Sequence, residues 1–576
     1  MAKTEWEHTE EWADKTSGED YNNRLGYYGA TDLNWMMYND KQWVGINTAE
    51  LPKVTLNFIK QGVNYLIASI MSRPIKAEFN ADNIPEPLPD STDPEDVKNR
   101  ETRSIIKKLT QAAEMKWEKD RMPKKLRMLL LDAANSGDMC AHVYWDKRSN
   151  DFKTDVIDGA QVMFGNPNTD ELDRQPYVLI VGREMVSHLK SEAKSNKVAK
   201  DKIDRIVSDE ETEYQIGERG KIELDGASSG SKKATYIVKY WLEEESGHIL
   251  WNKSTRFCSI ASNVDSGLTR YPIVWGNWST VKHSYHGNGP ISGVIDNQIT
   301  VNQMYAMCAY WMRMQAFGKV IVDSTKIPEG KWSNKLGEVI YADGSVNDIV
   351  KQLDAGQFNS AILAVADTIV RYSKEFIGAN EAALGNANPE QASGTAIMMS
   401  AKQAAIPHAN VLENLTQFIE DLYLVWGEFF QKKYTNRDLF FKDWKSGKLQ
   451  NYSFDKEDIS SAILSCKVNV GPSTVWSEPL LMQNLDNLLK MQAVTPSQYY
   501  ERIAGMNIIP DVQGLIAAAK LREVQEAEQK KLEQQMALMQ GNAEMAQSGP
   551  LPSNNPELQG MMGSTAQNGL RASQPK

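Results

Sequence analysis

The residues able to do chemistry are few and dispersed. His283 and His286 lie three apart in a polar stretch. That spacing suits two metal ligands, yet the next acid downstream is Asp296 and no third ligand follows. The expectation is therefore loop histidines in contact with solvent. Gly287-Asn288-Gly289-Pro290-Ile291-Ser292-Gly293 has some glycines of a dinucleotide loop, but the third is one residue late and no βαβ unit surrounds it. It reads as a glycine-rich lead-in to a helix. Every Gly-Lys pair has the wrong successor for a phosphate-cradling GxxxxGK[ST] loop: Gly220-Lys221-Ile222, Gly318-Lys319-Val320, Gly330-Lys331-Trp332 and Gly447-Lys448-Leu449. Neither GxSxG nor HExxH occurs. Carboxylates are too scattered to select an acid–base pair. A chain with this inventory that works on DNA mechanically must leave ATP hydrolysis to another subunit.

Two charge features stand out. Lys190, Lys194, Lys197, Lys200, Lys202 and Arg205 make one side of 184–207 basic, while Asp201, Asp204 and Asp209–Glu211 partly neutralise it. This is either a DNA- or partner-facing helix or a solvated face. The second feature is the opposite: IGANEAALGNANPEQASGTA (Ile377–Ala396) carries only Glu381 and Glu390, and no Lys or Arg occurs between Lys374 and Lys402. It is either a flexible helix–helix loop or a loop that touches passing phosphates without holding them, since each cation would add a counterion-releasing contact.

These features need elements to hold them. Residues 21–37 read as helical, and Leu56, Ile59, Val63, Leu66 and Ile70 recur at helical spacing up to a stop at Pro74. Proline-rich 80–95 reads as a loop, Asp96–Ala134 as helix ended by Gly137, and 140–181 as short strands. After the basic helix, 208–233 has linker composition and 234–281 alternates like strands. Pro290 opens a helix with the stripe Ile291, Ile295, Ile299, Tyr305, Ala309, Met312 and Ala316. Phe358, Ile362, Val365, Ile369 and Tyr372 mark another before the low-charge insert. A long helix kinked at Pro407 follows, then a short β-like unit at 437–470 and helices at 477–493, 497–504 and 511–546.

Composition sets the bounds. With 576 residues, 41% hydrophobic and 24% charged, the chain has ordinary globular usage and length for several domains. The net charge of −11 argues against broad nucleic-acid grip. Cys140, Cys258, Cys308 and Cys466 form no CxxC pair, so neither a zinc knuckle nor a disulfide framework is indicated. No apolar run is long enough for a membrane span, and the acidic opening MAKTEWEHTEEWADK does not read as a signal peptide.

In order, these pieces resemble a tailed-bacteriophage portal protein, especially those of short-tailed phages. Tyr38-Asn39-Asp40-Lys41-Gln42-Trp43, then Asn57 with Ile59, then Arg73-Pro74, are similar to the opening of many portals. The β-rich island between two helices, the series Asp296, Gln298 and Asn302 in a long helix, and the helix–insert–kinked helix with Ser393-Gly394-Thr395-Ala396 continue the likeness. A Gln- and Met-rich last helix looks like a barrel extension. The resemblance covers nearly the whole chain.

The resemblance implies an α+β, mainly helical fold assembled as a ring, usually dodecameric, around a channel. It implies an N-terminal wing (1–183), a first stem helix (184–207), a clip (208–281), a second stem helix (282–318) and a wing return (319–376). A tunnel loop (377–394), a kinked helix with more wing (395–474), a crown with a barrel helix (475–547) and a disordered tail (548–576) would follow. The tunnel loop would present Asn380, Glu381, Asn386, Asn388, Glu390 and Gln391 to DNA, and the stem Asp296, Gln298 and Asn302. No catalytic site, cofactor or metal is implied. The implied partners are other copies of the chain, the terminase large subunit, head–tail adaptors, capsid and scaffold proteins, and double-stranded DNA in passage, with no membrane. The implied location is the portal vertex of a virion, assembled in the host cytoplasm. The alternatives are another phage head-assembly protein, such as a scaffold or minor head protein, or a nucleic-acid-processing enzyme.

Overall fold

The computed structural model describes residues 26–47, 51–73, 75–85, 93–208, 233–316, 360–378 and 409–434, shorter stretches at 320–322, 325, 350–352, 437–442, 449–454, 459 and 462–470, and parts of 482–529. About 51% of these residues are helical, so neither helix packing nor sheet pairing alone defines the architecture, which is mixed α/β. The chain forms two compact units, Met1–Ser473 and Thr474–Lys576.

The first unit starts with α1 (Tyr27–Tyr38) and α2 (Phe58–Met71). The helical spacing expected from Leu56 is realised from Ile59 on: Ile59, Val63, Leu66 and Ile70 are buried and the Asn57 side chain caps the helix by accepting from Lys60 N–H, which leaves Leu56 ahead of the helix and exposed. Strand β1 (Ile75–Ala81) leads to α3 (Pro94–Lys119), which has Asp93 as N-cap, Pro94 in its first turn, Glu95 and Asp96 at its positive end and Lys116 and Lys119 at its negative end.

The helix expected over Asp96–Ala134 is in fact two. Arg121 takes a left-handed φ of 53°, and Pro123 begins α4 (Met122–Ser136). Gly137 stops α4 at a φ of +93°. A side chain there would collide with the Gly287 carbonyl. Strands β2 (Asp138–Asp146) and β3 (Asp151–Val156) follow as an antiparallel pair.

The expected β-rich island does not stand apart. Strand β4 (Val162–Phe164) pairs with β5 (Tyr177–Met185), and β5 pairs with β6 (Lys233–Leu242) from Tyr177↔Trp241 to Met185↔Lys233. The helix expected over 184–207 is broken into α5 (Val186–Ser195) and α6 (Lys200–Ile203), because Lys197 turns at a φ of 59°. Leu189, Ala193, Ile203 and Ile206 pack on Ala234, Cys258 and Ile260, so this is a helical layer on the sheet rather than a free-standing rod. Strands β7 (Ile249–Thr255) and β8 (Cys258–Asp265) complete the order β4-β5-β6-β7-β8. Strand β9 (Ile273–Asn277) then leaves the island and pairs with β2, Cys140 facing Trp275. The boundary at 183 thus falls inside β5, which pairs with β6 beyond it.

Helix α7 (Ile295–Ala316) runs beside the later α8 (Ala361–Ile377). Between them, β10 (Val320–Val322) pairs with β11 (Val350–Gln352). The main core is closed by α9 (Ala409–Lys433), which buries Leu415, Phe418, Ile419, Leu422, Trp426, Phe429 and Phe430. The expected kink at Pro407 lies outside the described residues. Strands β12 (Arg437–Lys442) and β13 (Leu449–Phe454) form a hairpin, and β14 (Leu464–Val470) returns to β1, Ile75 facing Val470. In the second unit, α10 (Pro496–Ala504) occupies the expected helix at 497–504, and the Glu523 carboxylate accepts from Ser497 N–H and Oγ at 2.8 Å each. The tail at 548–576 lies outside the described residues.

Candidate functional site

The polar residues of the opening motif and of α7 meet in one network, buried at Gln42, Gln298 and Asn302 and exposed at Asp40 and Lys60. Gln298, fully buried, accepts from Phe58 N–H at 3.2 Å and donates to the Leu56 carbonyl at 2.7 Å and to Asn302 Oδ1 at 3.0 Å. Asn302 accepts from Leu56 N–H at 3.2 Å and donates to Gln42 Oε1. Gln42 in turn donates to the Met37 carbonyl. Asn57 donates to the carbonyls of Met37 and Tyr38 and to Asp40, and Lys60 bonds the same carboxylate at 2.8 Å. Tyr38 Oη donates to Asn64, and Trp43 Nε1 to the Val54 carbonyl.

The physical role follows from the backbone. Residues 51–57, ahead of α2, belong to neither helix nor strand, so their N–H and C=O groups need partners. Amides supply donor and acceptor together. Gln298 and Asn302, one helical turn apart, serve Leu56 and Phe58 as a strand would. Asp296, the third member of the expected series, is exposed on α7. Replacing Gln298 by Leu is expected to remove its bonds to the Leu56 carbonyl and the Phe58 N–H, which keep only their mutual contact at 3.0 Å, costing about 0.5–1.5 kcal/mol for each bond. Urea unfolding checks this, and an unchanged midpoint would remove the network's structural role.

The six tunnel-loop residues expected to face DNA, Asn380, Glu381, Asn386, Asn388, Glu390 and Gln391, lie outside the described residues. The flanking α8 is described. Gly293 lies against the Phe376 ring, Asn297 bonds Ser373 at 3.0 Å and Tyr305 bonds Asp367 at 3.3 Å, so α7 and α8 run antiparallel. Ala366, Ser373 and Ile377 face inward. Val365, Tyr372 and Phe376, at i, i+7 and i+11, remain 47%, 59% and 70% exposed. Met307 and Met312 on α7 are exposed as well. Val365, Tyr372 and Phe376 thus line one exposed apolar stripe on α8.

The histidine expectation is half right. His283 is exposed, but His286 is buried, 3% accessible. It is held between the rings of Tyr27 (3.8 Å) and Tyr285 (3.9 Å). Its Nδ1 lies 2.6 Å from Asp138 Oδ2, which also accepts from Tyr27 Oη at 2.6 Å, while Oδ1 accepts from Gly287 N–H at 2.8 Å. One carboxylate thus ties α1, β2 and the 285–289 segment together. Its partner stands 148 residues away, which no spacing rule could reveal. Gly287 and Gly289 pack against the backbone at the C-terminal end of α4, close to Gly137 and Ala134. That end presents carbonyls, the wrong polarity for a phosphate. The glycines serve close approach.

The cations of α5 and α6 divide by face. Lys194, Lys197, Lys200, Lys202 and Arg205 are exposed and Lys190 is half-buried, among exposed Asp201 and Asp204. Beneath the layer, Lys253 bonds Glu192 at 2.6 Å and Glu184 at 3.4 Å; burial depresses its ammonium, but Glu192 and Glu184 outweigh that and raise it. Among the described residues no group of three or more His, Cys, Asp or Glu could hold a metal ion, and no helix is long and apolar enough to cross a membrane. Cys140, Cys258 and Cys308 are buried and Cys466 half-buried, all as free thiols. Compared with known protein families the chain matches none, and no curated protein matches it either.

Proposed function

We propose that this chain is a portal-type subunit: a ring-forming conduit at one vertex of a phage capsid, through which a terminase drives double-stranded DNA and onto which tail adaptors later dock. The observation that carries this reading is the exposed apolar stripe of Val365, Tyr372 and Phe376 along α8. A solitary molecule gains nothing from holding two adjacent aromatic rings in water. A heterologous contact that repeats around an axis would cover them in every copy. The convergence of Gln42, Asn57, Gln298 and Asn302 on one network adds support, because the motif residues that carry the resemblance act together.

On this reading the conduit is passive. A ring of chains at −11 each repels phosphates over a Debye length, roughly 8 Å at physiological salt. The insert at 377–396, free of Lys and Arg, would let the duplex slide because nothing in it releases counterions on contact. ATP energy comes from the terminase, and this subunit contributes no catalytic group, cofactor or metal. Capsid and scaffold proteins surround the ring during assembly in the host cytoplasm. Negative-stain electron microscopy of the purified chain tests the proposal. Closed end-on rings with a central hole, about twelve copies round, are expected. A monomer at high concentration, or nucleotide turnover by the isolated chain, would overturn it.

A further inference from the structure

We propose that the acidic segment 1–20 docks on the cationic layer formed by α5 and α6 of its own chain, covering a face that would otherwise attract polyanions. That layer stands out in a chain of net charge −11. Leu189, Ala193, Ile203 and Ile206 turn inward onto Ala234, Cys258 and Ile260. Lys194, Lys197, Lys200, Lys202 and Arg205 are left exposed, against only Asp201 and Asp204. Among the described residues no carboxylate holds any of these five cations, whereas Lys253 beneath them is held by Glu192 and Glu184. Clustered like charges repel one another until a counter-charge covers them.

The adjoining end of the sheet exposes apolar side chains. Met185 pairs with Lys233, where β6 begins, and the Arg256–Phe257 turn lies at the same end, because Thr255 faces both Tyr236 and Cys258. Ile206 shares a cluster with Ala234 and Cys258, which brings Val207 there too. Met185, Val207 and Phe257 are 43%, 56% and 41% exposed, and Arg256 lies over the Phe257 ring. Segment 1–20 has the matching chemistry. It holds seven Asp or Glu against two Lys, with Trp6 between Glu5 and Glu7 and Trp12 after Glu10 and Glu11. A duplex would meet Asp201 and Asp204 as like charges and leave the apolar end bare, whereas indoles cover it.

The segment also reaches. Tyr27, at the start of α1, bonds Asp138, and a Cβ on Gly159 would sit 3.1 Å from its Oη. The 159–161 turn runs into β4, where Val162 faces Ile180 of β5. Met185 is five residues further along β5, about 17 Å at the rise of a strand. The stretch from Trp12 to Gly26 spans up to about 45 Å when extended.

Hydrogen–deuterium exchange of the full chain against one lacking residues 1–20 tests this, read on peptides covering 186–206. The truncation removes no described residue. Exchange there is expected to be at least about threefold faster in the truncated chain. A synthetic peptide of residues 1–20 should restore the protection at low salt and fail to at high salt. In a mixture of isotope-labelled and unlabelled full chains, carbodiimide cross-links from Glu5, Glu7, Glu10 or Glu11 to Lys194, Lys197, Lys200 or Lys202 should join residues of one chain. Equal exchange in the two chains, cross-links formed only between copies, or a DNA duplex that protects 186–206 of the full chain as well as of the truncated one would overturn the proposal.

Discussion

A chain carrying Tyr372→Asp together with Phe376→Asp is expected to fold normally and to stop forming rings. The two rings are 59% and 70% exposed, so the monomer barely depends on them. The inward face of α8 is left untouched: Ala366, Ser373 and Ile377 are buried, and Ile369 and Val370 pack against the main core. Ile377 also fills the space beside Gly62 on α2. In an assembly the balance reverses. Burying an aromatic side chain is worth about 1.5–3 kcal/mol, and each contact would lose two while gaining two carboxylates to desolvate. Several kcal/mol per contact separates a ring from free subunits. Circular dichroism should be unchanged, and sedimentation should move from ring to monomer. Rings at wild-type yield would show that this stripe is not the contact between copies, even where the ring itself persists.

How far the sequence could be read depended on whether the partner of each element was apolar. Helix α2 was legible because its face of Ile59, Val63, Leu66 and Ile70 packs on apolar neighbours, and periodicity reports apolar neighbours. Helix α7 was legible in extent but not in orientation. The expected stripe continued through Ile299, Tyr305 and Met312, yet the buried side carries Gln298, Val301, Asn302 and Ala306, and Met312 is exposed. Part of its partner is the backbone of Leu56 and Phe58, which bonds amides, so the buried side there is not purely hydrophobic.

Tertiary pairing caused the other departures. Nothing in the alternation of 234–281 says that β6 must find β5, or that β9 must leave for β2. The break in the 184–207 helix rests on a single left-handed residue, Lys197, a type that rarely takes that conformation. The split after Lys119 had a visible signal in Pro123, which fits the first turn of a helix far better than the interior of one. His286 had none, because a buried histidine and a solvated one share the same letter and the deciding carboxylate comes from another part of the chain.

The same logic picks out the position where a single substitution should damage the monomer most. Asp151→Ala is expected to destabilise the chain by about 1.5–3 kcal/mol, since it removes one of the two carboxylates beside a buried ammonium and the acceptor of the Tyr434 hydroxyl. Asp151 and Lys116 are 7% and 8% exposed and 3.1 Å apart. The carboxylate also accepts from Tyr434 Oη at 2.5 Å and lies 3.6 Å from Arg437, so it joins α3, β3, the end of α9 and β12. Lys116 keeps its bond to the Phe152 carbonyl at 2.6 Å and its place over the Phe152 ring, neither of which neutralises it. Asp120, 3.3 Å from Lys116, softens the loss. Burial alone would raise the Asp151 carboxyl, but Tyr434, Lys116 and Arg437 overcome it and hold it below the usual range. A depressed carboxyl stabilises the fold above its unfolded value and gives that up as pH falls through the folded one. The wild type should therefore lose stability on acidification below the ordinary carboxylate range, and Asp151→Ala should lose less over the same interval. Urea titrations at neutral and acid pH measure both effects. A substitution costing under about 1 kcal/mol, with the acid sensitivity intact, would show that Lys116 finds enough elsewhere and that this junction does not hold the unit together.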